Sequence, residues 1–141
     1  MAGTGKSADT MLACGKGARM KFDWTRGALA EGLRLYDAGE FFAAHEAWEG
    51  VWLRAQEPEK TFLQGLIQVT AAFHHWQREN RLGTSRLLRA ALGRLESYPA
   101  RFGGISVDLL CDDIRLWLQA LDVGAPAPQH GVARITCLTV G

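Results

Sequence analysis

A chain of 141 residues, 48% apolar and 22% charged, is long enough to bury one core and too evenly balanced to be disordered throughout. A formal net charge of +1 gives no long-range pull on nucleic acid or an anionic membrane, so neither is expected as a partner. Three cysteines, Cys14, Cys111 and Cys137, with no C-x-x-C spacing, argue against a disulfide framework or thiolate zinc site and fit a reducing, cytoplasmic setting.

Residues 1–19 are rich in Gly, Ala, Lys, Ser and Thr and read as a flexible leader. They hold no continuous apolar run of the kind a signal peptide needs. Gly3-Thr4-Gly5-Lys6-Ser7 is not a phosphate-binding loop, because the first glycine of that motif would fall before residue 1. Met20 is an alternative start, since patterned sequence begins directly after it. A first helix is expected over Thr25 to Asp37, with Leu29, Leu33 and Tyr36 on one face and Gly39 ending it. A second runs from Phe41 to Ala55 and stops before Pro58. The third occupies Lys60 to Glu79. Its uncharged stretch, Thr61 to Gln77, contains three glutamines and two histidines, which suits a buried central helix better than a membrane span. Asn80 to Gly83 reads as a turn, Thr84 to Ser97 as the fourth helix, and Tyr98 to Gly104 as a loop. The fifth helix starts near Ser106, with Asp108 in its first turn and the stripe Val107, Leu110, Ile114, Trp117 and Leu121. Beyond Asp122, Pro126 and Pro128 suggest a tail, within which Val132 to Val140 has the composition of a short extended segment. The expected fold is all-α, an up-and-down bundle of about five helices over residues 20–122, flanked by the leader and by a tail over 123–141.

The second helix carries the chemistry that its apolar pattern does not explain. At about 100° per residue, Phe41, Ala44, Trp48, Val51 and Trp52 form one arc. His45 falls inside it, Glu49 beside it and Glu46 at its edge. A carboxylate or imidazole directed at a core needs a partner. The third helix supplies candidates: Gln64, Gln68, Ala71 and His75 share its less apolar side. An antiparallel hairpin sets residue 45 level with about 69, which brings both glutamines to the height of His45 and Glu49 and leaves His75 further along. One reading is a buried polar network fixing helix register, in which His45 bonds Glu49, the glutamines satisfy the rest, and Arg34 or Arg94 completes the set. The sharper reading is a metal or acid–base site. Here His45, Glu46 and Glu49 are the candidate catalytic residues, and His45 with Glu49 is the candidate pair of ligands for a divalent metal cofactor. Trp48, Trp52, Gln64, Gln68 and His75 are the candidate ligand-binding residues. The run His45-Glu46-Ala47-Trp48-Glu49 lacks the second histidine of a zinc-protease helix. A dinuclear carboxylate site also lacks its second Glu-x-x-His.

The five tryptophans read as core rather than as an aromatic pocket. Arg78, Arg81, Arg86, Arg89, Arg94 and Arg101 make the fourth-helix region basic, and a solvated face explains them better than phosphate contact. Cys111 reads as a buried, inert thiol.

The run from Gly39 to Glu49, followed by Trp52, resembles a bacterial and archaeal family known as domain of unknown function 309. So does Phe62-Leu63-Gln64-Gly65-Leu66-Ile67-Gln68 leading to His75 and Asn80. The likeness covers roughly Phe22 to Leu121. It implies a helical bundle with motif residues His45, Glu46, Glu49, Gln68 and His75, and it brings no established activity. One departure is Glu79, where the resemblance implies a glycine before the asparagine. The expected function is a small helical protein with a polar pocket between its second and third helices, taking a small ligand or metal. The alternatives are a metal-assisted or general-base hydrolase with Glu49 or Glu46 as base, and a non-enzymatic protein or nucleic-acid interaction module.

Overall fold

A computed structural model describes residues 20–138. The leader, with its Gly-Lys run and Cys14, and the last three residues lie outside the described residues. Among the described residues five helices follow one another: α1 (Gly27–Asp37), α2 (Phe41–Trp52), α3 (Glu59–Gln77), α4 (Arg81–Leu95) and α5 (Val107–Asp122). Between α4 and α5 lie two short strands, β1 (Arg101–Phe102) and β2 (Ile105–Ser106). No described helix is long and apolar enough to cross a membrane.

The helix boundaries follow local chemistry. The Asp23 side chain accepts hydrogen bonds from the Thr25 backbone and hydroxyl, which holds 23–25 in a turn, so α1 starts at Gly27 rather than Thr25. α1 closes with a paired C-terminal motif: Gly39 N donates to Tyr36 O and Glu40 N to Leu35 O, with Gly39 at φ +80°. α2 ends at Trp52, three residues short of Ala55. There the chain tightens into i→i+3 bonds from Arg54 N to Val51 O and Ala55 N to Trp52 O. α3 ends in the same motif as α1, with Glu79 N donating to Trp76 O and Asn80 N to His75 O. α4 then starts at once, because Asn80 Oδ1 accepts from Gly83 N at 2.9 Å and caps the helix. The expected four-residue turn is therefore one residue of reversal followed by a cap.

Consecutive helices pack as neighbours from α1 to α5. α3 is the centre: Phe62, Leu63, Leu66, Val69 and Phe73 are fully buried. Phe73 meets Tyr36 of α1, Phe41 of α2 and Trp117 of α5, so one ring touches three other helices. α1 approaches α2 through Gly32, where a Cβ would overlap the Trp48 indole; only a glycine leaves room for that ring.

Two segments differ from expectation. The Gly103-Gly104 loop is the turn of a hairpin pairing Arg101 with Ser106 and Phe102 with Ile105. Both glycines have positive φ, as a two-residue turn between twisted strands requires. The residues after Asp122, expected as a tail, fold back onto the bundle. Ala133 and Ile135 are buried, Trp117 Nε1 donates to Gly131 O, and Tyr36 Oη donates to Ala133 O. Ser106 N donates to Thr136 O and Leu138 N to Gly104 O, which lays an extended run beside β2. The anchor is Asp113 on α5, which takes the Arg134 backbone N–H and two guanidinium hydrogens at 2.9–3.0 Å.

Candidate functional site

The outer side of α2 presents Phe42, His45, Glu49 and Trp52, spaced three, four and three residues apart, so all four lie along one helical stripe. α3 carries a half-buried set that includes Gln64, Gln68, Ala71, His74 and His75, of which Ala71, His74 and His75 lie against Phe42 and His45. Between the two helices lies a cleft of about 130 Å³ lined by Phe42, His45, Ala71, His74 and His75. The Phe42 ring is 55% exposed, the one aromatic ring among the exposed large apolar side chains of the described residues. It stacks on His45 at 6.1 Å between ring centres and tilts against His74 at 5.5 Å. His45 points Nε2 at Glu49 Oε2 at 3.9 Å, too long for a hydrogen bond, while its Nδ1 is enclosed and has no hydrogen-bond partner among the described residues.

His75 is held from behind. Asn80 Nδ2 lies 3.0 Å from His75 Nδ1 while Asn80 Oδ1 caps α4. The α3–α4 junction is thus both a helix cap and a support for a cleft residue. Gly83 completes it, since a Cβ there would come within 2.6 Å of Asn80 Nδ2.

The residues singled out in sequence divide into three groups. His45 and His75 line the same cleft without a ring contact between them among the described residues; Phe42 bridges from His45 to His74, and His74 touches His75. Glu46 and Glu49 stand at the solvent side, outside the cleft lining. Gln68 turns toward α4, accepting from Arg94 Nη1 at 3.3 Å, as the network reading anticipated for Arg94; Arg34 instead pairs with Glu31 on α1. Gln64 is half-buried one turn before Gln68. Trp48 is fully buried and donates to Leu29 O at 3.1 Å, so it belongs to the core and not to the cleft. Trp52 is half-buried beneath Lys60, whose Nζ lies 4.2 Å from its ring centre and donates to Trp52 O; the indole Nε1 is enclosed without a hydrogen-bond partner among the described residues. Among the described residues, no three His, Cys, Asp or Glu side chains converge to hold a metal ion.

Sequence reasoning passed over Phe42 as a site residue and did not weigh His74. Both signals were present: Phe42 precedes His45 by three residues, and His74 adjoins His75. The arginines near α4 are partly engaged rather than free for phosphate. Arg81 covers Trp76 and donates to Ala125 O, Arg89 pairs with Asp122, and Arg94 holds Gln68.

The fold and cleft define a helical-bundle domain with an open, histidine-lined surface depression. Residues 29–87 match the family described as Domain of unknown function (DUF309), which bears out the resemblance seen in the sequence. The matched segment runs from α1 into α4 and contains every cleft residue together with Asn80 and Gly83. An uncharacterized protein of Aquifex aeolicus (strain VF5) is 29% identical over 103 residues, covering 70% of this chain and 30% of the relative. The match therefore spans less than a third of that relative's length.

Proposed function

We propose that this protein is a binding module whose ligand seats in the α2–α3 cleft. The observation that carries this reading is the Phe42 ring, left in solvent between His45 and His74 over a depression of about 130 Å³. A volume of that order fits one aromatic ring or one side chain of a partner, well short of the several hundred Å³ of an enclosed small-molecule site. Binding suits the geometry better than catalysis. Both candidate bases, Glu46 and Glu49, stand in open solvent, and no described element covers them to exclude water. The Aquifex relative supports a module that works beside other polypeptide, since the matched segment is a minor part of that chain.

Titration with phenol and benzamide, followed by amide and side-chain NMR shifts, tests this reading. Shifts should cluster at Phe42, His45, Ala71, His74 and His75 and disappear in Phe42→Ala, with stability changed by less than about 1 kcal/mol because that ring is largely exposed. Shifts confined to another surface would overturn it.

A further inference from the structure

We propose that His75 is held by Asn80 in its Nε2–H form and is the hydrogen-bond donor with which the cleft takes a carboxylate. This rests on the cleft being a binding site and adds the chemistry of what it binds.

The proton assignment follows from a backbone group. Gly83 N–H is a donor only, and the atom 2.9 Å from it must accept, so that end of the Asn80 amide is its oxygen. The other end is then the NH2, which only donates. His75 Nδ1 lies 3.0 Å from that NH2 and must accept, so the neutral ring carries its proton on Nε2. The cap that starts α4 thereby sets the tautomer of a cleft residue five positions earlier in the chain, on the last turn of α3.

With Nδ1 engaged, the free edge of the ring is Nε2–H, which has no hydrogen-bond partner among the described residues. The cleft that His75 lines is completed by two further imidazoles, the Phe42 ring and the Ala71 methyl, with no acid. The Glu49 carboxylate stands outside the lining, beside His45. A donor in an acid-free, partly aromatic depression favours an acceptor with negative charge on a flat apolar body over a cation. Benzoate carries that chemistry at the size of the cleft.

The tautomer is read in the free protein by long-range ¹H–¹⁵N spectra of the imidazoles, independently of any ligand. His75 should show a protonated Nε2 and an unprotonated Nδ1. In Asn80→Asp, which keeps the cap oxygen but removes the NH2, Nδ1 should take up a proton. Benzoate should bind at least about fivefold more tightly than benzylamine, and His75→Phe, which keeps a ring but no donor, should abolish that preference. A wild-type ring protonated on Nδ1, or benzoate affinity unchanged in His75→Phe, would overturn the proposal. If benzamide perturbs the cleft and benzoate does not, the carboxylate assignment falls while the binding reading stands. If no probe perturbs the cleft, both fall.

Discussion

Glu79→Gly should stabilise this protein. Glu79 is the one described non-glycine residue with positive φ, at +59°, and it occupies the reversal position of the motif that ends α3. The same position is Gly39 after α1 and Gly124 after α5, at φ +80° and +70°. A side chain in this conformation costs roughly 1–2 kcal/mol through Cβ crowding. Glycine removes that strain but adds unfolded-state freedom worth roughly 0.4–1 kcal/mol. Glu79 is exposed and its side chain makes no hydrogen bond or ion pair among the described residues, so little else is lost. The net expectation is a gain of about 0.5–1 kcal/mol, or about 2–5 °C in Tm. Urea denaturation and calorimetry of wild type, Glu79→Gly, Glu79→Gln and Glu79→Ala measure it. Glu79→Gln isolates the charge, which lies between the negative end of α3 and the positive end of α4. Glu79→Ala keeps the Cβ and should stay near wild type. If glycine and alanine give the same stability, backbone strain is not what distinguishes this position.

Gly32→Ala should destabilise by about 1–3 kcal/mol, because its methyl would overlap the buried Trp48 indole; equilibrium denaturation reads the loss, and an unchanged midpoint would show that α1 can shift away. Asp113→Asn should cost about 1–3 kcal/mol at neutral pH and loosen residues 130–136, as hydrogen exchange would report. Burial pushes the Asp113 carboxyl up, but bonds from the Arg134 side chain and backbone, with His130 nearby, outweigh it and hold the carboxyl below its ordinary value. Its stabilisation is therefore complete above the unfolded carboxyl value of about 3.9 and fades as pH falls through the lower folded value, so the gap between wild type and Asp113→Asn should narrow in that acid range. Added zinc or manganese should leave Tm within about 1 °C, since His45 and Glu49 offer two ligands at most; a metal-dependent rise lost in both His45→Ala and Glu49→Gln would establish a site there.

The helices were readable in the sequence because each rests on local chemistry: the 3.6-residue spacing of Leu29, Leu33 and Tyr36, the glycine at 39, and the α5 stripe through Trp117. The polar misfits on α2 were readable for the same reason, since His45 and Glu49 interrupt an otherwise apolar arc. What the sequence could not reveal depends on partners far along the chain. Trp48 and Phe42 are both large, apolar residues on one helix, yet Trp48 is sealed against Gly32 and Leu29 while Phe42 is left in solvent beside His74. The fate of residues 123–138 was decided by Asp113, whose burial requires Arg134 to return and satisfy it. The contact that orients His75 depends on a cap made by Asn80 to Gly83. Periodicity reports which face of a helix is buried; it carries no information about which distant group meets that face, and burial and pairing are set by that meeting.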